Sequence, residues 1–141
     1  MSDANKQAVQ RYYREIWNQG NLALIDELFT DDYVNSDPAT PGNDVHGRDG
    51  LRGLQASYKA AFPDLTFTIH EQVAEGDTVV SRWTAQGTQA GPLLGMPPTG
   101  KQGQPTPVVG VTITHFRAGR IAADWVVWDT LGLLRQLGYV G

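Results

Sequence analysis

Cysteine is absent from this chain of 141 residues. Disulfides and thiolate metal sites are therefore excluded. Histidine is scarce. His46, His70 and His115 lie far apart without an H-x-x-x-H spacing, so no metal site is expected. No apolar run approaches the roughly 20 residues that span a bilayer, and no membrane partner is expected. The opening MSDANKQAVQRYY has no signal-peptide apolar block, so a cytoplasmic protein is expected. A net positive charge is lacking too. The formal charge of -4 argues against nucleic acid and anionic membranes as partners. Charged residues make up 18% and hydrophobic residues 40%, which is a globular rather than a disordered composition. The length suits a single domain over 1–141 with a core of its own.

The pattern changes half-way along. Val9, Tyr12, Tyr13, Ile16 and Trp17 recur at helical steps and predict a helix over Asp3–Asn18. Leu22, Ile25, Leu28 and Phe29 make a second, short stripe. A brief extended YVN follows at Tyr33–Asn35, then a turn-rich SDPATPGND. Leu51, Leu54, Tyr58 and Phe62 predict a third helix, stopped by Pro63. From Leu65 onward the period is two. Leu65, Phe67 and Ile69 alternate with polar residues, EGD at Glu75–Asp77 makes a hairpin turn, and TVVSRWTAQGTQ continues as a strand. VVGVTITHF and IAADWVVW form a second hairpin around RAGR. Between the hairpins runs a long Gly- and Pro-rich loop, GPLLGMPPTGKQGQPTP. TLGLLRQLG closes the chain as a helix, with Asp129 placed to cap it. Helices followed by antiparallel strands give an α+β fold, helices covering one face of a curved sheet.

Several segments resemble a known family. They are YVN (Tyr33–Asn35), HGRDGL (His46–Leu51), FPDL (Phe62–Leu65), GDTVVSRW (Gly76–Trp83), LGMPPTGK (Leu94–Lys101), GRI (Gly119–Ile121) and LRQLG (Leu134–Gly138). In them the chain resembles the SnoaL-like polyketide cyclases, the ester-cyclase branch of the nuclear transport factor-like cone fold. The resemblance implies a cone-shaped α+β barrel around a hydrophobic pocket. It implies an intramolecular aldol reaction that needs no metal and no organic cofactor. In that chemistry an aspartate on the last strand removes a proton next to a carbonyl, helped by a histidine and a glutamine on the neighbouring strand. It also implies a homodimer.

Aligned without a gap from Gly119 to Leu134–Gly138, the family's aspartate falls on Val126, its histidine on Thr112 and its glutamine on Gly110. All three groups are missing. The family's active-site asparagine is kept as Asn35. Parity then singles out Asp124. If residue 126 faces the pocket, so do Asp124 and Trp128. A three-residue turn at Arg117–Gly119 would set Thr112 opposite Asp124. The acid would then have moved about 6–7 Å along the strand. In apolar surroundings its pKa should rise, as suits a general base. The alternatives are a satisfied buried Asp or one at a wet cavity mouth. Asp129 reads as a helix cap.

Tyr33 and Asn35 are candidate substrate contacts, Asn35 as donor to a developing oxyanion. Asn is equally a common turn former. His46 is read either as a proton carrier at the cavity mouth or as a loop histidine. Phe62, Trp83 and Trp128 are candidate pocket walls and equally core residues, with Thr112 and Val126 completing the set. His70 and His115 point outward. The substrate class expected is a hydrophobic, carbonyl-containing small molecule, polycyclic aromatic compounds included. Cyclase or isomerase chemistry, a hydroxylase and a non-catalytic binding module all remain open. Ile121, Trp125 and Val127 form an outward apolar set suited to a homodimer.

Overall fold

The computed structural model describes residues 2–40, 44–100 and 107–140. The N-terminal stripe forms α1 (Ser2–Arg11), which runs on as a π-helical stretch over Tyr12–Asn18. A π turn bonds i to i+5 and is wider than an α turn. Tyr12, Tyr13, Ile16 and Trp17 are thereby all buried on one side. A 3-10 turn (Leu22–Leu24) and α2 (Ile25–Leu28) bury Leu24, Ile25 and Leu28. Phe29, expected at the end of that stripe, instead starts β1 (Phe29–Ser36). Then come β2 (Val45–His46), α3 (Gly47–Ala61), β3 (Thr66–Glu75), β4 (Thr78–Gln86), β5 (Val108–Arg117), β6 (Arg120–Trp128) and α4 (Thr130–Gln136). The loop after β4 is described to Gly100, and its stretch from Lys101 to Thr106 lies outside the described residues.

The six strands make one sheet in the order β2-β1-β6-β5-β4-β3. Neighbours are antiparallel except β1 and β6, which are parallel. The helices cover one face of this curved sheet, so the fold is α+β as expected. The core lies between the two layers and joins Ile16, Ile25 and Leu51 from the helical side to Phe29, Val79, Phe116 and Ile121 from the sheet. At the last strand-to-helix junction the Asp129 carboxylate accepts a hydrogen bond from Gly132 N at 2.9 Å, which caps α4.

The last hairpin departs from the expected register. Its turn has two residues, Ala118 and Gly119, with φ of 53° and 79°, and Arg117 pairs with Arg120. Next, His115 pairs with Ala123 while Phe116 pairs with Ile121, so Ala122 is an extra, bulged residue. The pairing beyond it is Thr114 with Asp124, Thr112 with Val126 and Gly110 with Trp128. Thr112 is thus not opposite Asp124. A bulge also reverses parity along its strand. Ile121 therefore turns into the core, wholly buried, rather than outward beside Trp125 and Val127. Asp124, Val126 and Trp128 keep the inward parity.

Candidate functional site

A cavity with about 720 Å³ of atom-free space, its mouth included, separates the helical layer from the inner face of the sheet. The π-helical stretch supplies Tyr12, Tyr13 and Trp17 to its wall, and α3 supplies Leu54 and Tyr58. Phe67, Trp83, Val126 and Trp128 come from the strands, and Leu133 from α4. The rings lock one another. Phe67 packs edge-on against Trp83 with centroids 4.9 Å apart, and Trp128 meets Tyr58 edge-on at 6.5 Å.

Five of the residues proposed from sequence line this cavity: Asn35, Phe62, Trp83, Val126 and Trp128. The structure places the other four elsewhere. His46 is exposed at the start of α3 and makes no side-chain capping bond. Thr112 is fully buried behind the wall. Its hydroxyl accepts from Trp83 Nε1 at 2.9 Å and shares a 2.6 Å bond with Tyr13 Oη. Tyr33 and Asp124 form a buried pair behind Asn35.

That pair is the electrostatic centre of the site. Asp124 Oδ1 accepts from Thr114 Oγ1 at 2.6 Å, and Oδ2 accepts from Tyr33 Oη at 2.7 Å. Asn35 Nδ2 donates in turn to Tyr33 Oη at 3.0 Å. A line of bonds therefore runs from the cavity wall to a buried acid. Loss of water around Asp124 raises its pKa to about 6, against the lowering pull of Thr114, Tyr33 and the charge of His115. Burial and the charge of Asp124 hold the Tyr33 phenol well above its ordinary range, so Tyr33 stays a donor.

Asp37 was missed in the sequence. It is the single carboxylate on the cavity wall among the described residues, just past the end of β1. Its Oδ2 accepts from Trp128 Nε1 at 2.9 Å and its Oδ1 from Ala39 N at 2.8 Å. The SDPA context reads as a turn and hides it. The usable signal is parity, because 33, 35 and 37 share one face of the strand. Among the described residues no cluster of three His, Cys, Asp or Glu side chains could hold a metal ion. No helix among them is long and apolar enough to cross a membrane.

A profile of the SnoaL-like polyketide cyclase family matches residues 7–137. The chain belongs to the SnoaL-like polyketide cyclase family. Solved structures agree. A proposed SnoaL-like polyketide cyclase from Jannaschia sp. CCS1 superposes with a TM-score of 0.86 at 25% identity, over 99% of this chain and 95% of that one. IdmH of Streptomyces antibioticus, a proposed polyketide cyclase, gives 0.80 at 33% identity, over 95% and 98%. AclR of Streptomyces galilaeus, a proposed hydroxylase, gives 0.81 at 26% identity over 100% of both chains. A search of curated proteins finds no match.

Within this SnoaL-like frame, Val126 presents an apolar surface to the cavity where the resemblance sets the cyclase aspartate. At Gly110, where it sets the glutamine, a Cβ would overlap Trp83 Cη2 and Cζ2. The indole of Trp83 fills the space a side chain there would need. Its N–H then closes on Thr112, where the resemblance sets the histidine. The positions that differ from the cyclase pattern are thus packed as one unit.

Proposed function

We propose that this chain binds a hydrophobic, carbonyl-containing small molecule and moves a proton next to the carbonyl, in an aldol-type cyclisation or an isomerisation without a cofactor. The observation that supports this reading is the Asn35–Tyr33–Asp124 line from the cavity wall to a buried acid. The substrate oxygen takes the Asn35 amide away from Tyr33 and receives its hydrogen bond as enolate charge develops. Tyr33, uncovered, accepts the α-proton while passing its own to Asp124 Oδ2. The carbon–hydrogen electron pair becomes the enolate, and Asp124 ends protonated.

The test uses 2-tetralone, a bicyclic ketone with exchangeable α-protons, in deuterated water followed by NMR. The ionised acid is the active form. Exchange is expected to rise with pH through about 6 and then level off. A rate no greater than the protein-free rate at every pH would sink the proposal. Two observations favour a second reading, a binding module or a hydroxylase like the one proposed for AclR. Asp124 itself is screened from the cavity, and Asp37 already accepts two bonds. Ketone binding without exchange favours the binding module. A product formed under air but not under argon favours the hydroxylase.

We also propose a homodimer through the outer face of the sheet. Val109, Trp125 and Val127 are 55%, 47% and 41% exposed there, and Val111 and Ile113 lie between them. An apolar patch of this kind favours a covering partner. Sedimentation is expected to give twice the chain mass for the native protein and a shift toward monomer for Trp125→Glu. A monomeric native protein would refute it.

A further inference from the structure

A second cavity lies on the other side of α3. It is bounded by Ser57, Tyr58 and Ala61 of that helix, by Thr40, and by the turn at Pro92–Leu94. Leu54 and Tyr58, one helical turn apart, belong to the walls of both cavities. They are the partition between them. The Tyr58 hydroxyl is buried without a hydrogen-bond partner, and so is that of Thr40. Buried polar atoms are nearly always paired, and an unpaired one is a costly arrangement. Burial and the nearby charge of Asp37 hold the Tyr58 phenol above its ordinary range, so it remains a hydrogen-bond donor. Because this ring stands in the partition, a turn of it would join the two cavities. The outer wall is stiff. Leu94 has a φ of 50°, followed by Gly95 at 80°, and Leu93 and Met96 exchange two backbone bonds across the turn.

We infer that Tyr58 is a gate and that the natural ligand is elongated. Its ring system occupies the inner cavity, a carbonyl oxygen accepts from Tyr58 at the partition, and an aliphatic tail lies in the outer cleft against Leu93 and Leu94. This rests on the reading that the inner cavity takes carbonyl compounds, and it adds the shape of the ligand and the position of an oxygen.

The test compares two fluorescent ketones with one ring system, 6-propionyl-2-(dimethylamino)naphthalene and its hexanoyl homologue. Three further methylenes fully removed from water strengthen binding about fifty-fold. In the native protein the longer ketone is expected to bind about ten-fold more tightly. Ser57→Trp fills the outer cleft from its exposed side and is expected to remove that preference while the short ketone still binds. Tyr58→Phe keeps the partition and removes only the hydroxyl. It is expected to melt no lower than the native protein and to shift the emission of the bound ketone to the blue, because a hydrogen bond to its oxygen is lost. Equal affinities for the two ketones, a tail preference that survives Ser57→Trp, or unchanged emission in Tyr58→Phe overturns the inference and leaves the inner site standing. Failure of both ketones to bind overturns the inference together with the reading beneath it.

Discussion

Replacing Asp124 with asparagine is expected to make the protein more stable at pH 7 and to stop α-proton exchange. The sign follows from linkage. In the unfolded chain this carboxyl titrates near its ordinary value of 3.8, and in the folded state at about 6. Between these values the folded state binds more protons than the unfolded one. Stability therefore falls as pH rises through this window. The full penalty is present above pH 6 and absent below 4, and amounts to about 3 kcal/mol. Asparagine carries no charge and avoids it. Its carbonyl still accepts from Thr114, but its amide now faces Tyr33, whose hydroxyl loses its acceptor. That loss returns about 1 kcal/mol. The net gain at pH 7 is about 2 kcal/mol, or about 5 °C in Tm for a chain of this size. At pH 4 no gain is expected.

Urea melts of both proteins at pH 4 and pH 7 check this. Only their difference isolates Asp124, because Glu15, Asp32 and Asp64 have lowered pKa values and respond to pH in the opposite sense. The titratable groups that interact with Asp124 are Tyr12, Tyr13, Tyr33 and His115, and the three phenols stay neutral across the window. Loss of a general base lowers the rate about 10²- to 10⁴-fold. A variant that gains stability and loses exchange marks an acid kept at the expense of stability. A native protein whose margin over the variant does not change from pH 4 to pH 7 removes the premise that burial governs this acid.

Much of the architecture was legible because burial writes its period into the sequence. The helical steps before Pro63 and the two-residue alternation after it correspond to the observed layers. Asp129 stood where a cap belongs, and its side chain accepts the bond a cap should. What failed to show was register. A two-residue turn in place of three and a bulge at Ala122 each shift the pairing by one residue without altering composition or hydrophobic pattern, and together they move Asp124 from Thr112 to Thr114, while the bulge turns Ile121 inward. Alternation counted from the strand's end gave Asp124 its inward face, since the bulge lies before it. Ordering of the site's second layer was equally hidden. Nothing local to YVN says that Tyr33 reaches a carboxylate 91 positions away. Asp37 was masked by a proline neighbour that made it look like a turn residue. The π-helical step at Tyr12–Asn18 left a trace only in the paired aromatics, which an ordinary helical reading also accommodates.

The other large effect is expected at Gly110, a residue with no chemistry of its own. Alanine in the interior of a strand ordinarily helps, because glycine loses more backbone freedom on folding, by about 0.5–1 kcal/mol. Here the sign reverses. A methyl group at 110 overlaps the six-membered ring of Trp83, and the indole must leave its place. Overpacking of this kind costs about 1–3 kcal/mol. Displacing the indole also separates Trp83 Nε1 from Thr112 and disturbs the hydroxyl that Tyr13 shares. An unpaired buried donor adds about 1–3 kcal/mol. Together these lower Tm by roughly 10 °C. The wall of the cavity moves with the ring, so binding of the short naphthyl ketone should weaken as well. The cause is specific and can be isolated with a second substitution. In a Trp83→Leu background the methyl group meets no ring, and Gly110→Ala should cost nothing or gain slightly. The difference between backgrounds is the coupling of the two residues, expected at about 2–3 kcal/mol. Equal costs in both backgrounds would mean that strand geometry, and not the indole, dictates glycine at 110. A large coupling would tie the loss of a side chain at that position to the tryptophan that now shapes the cavity.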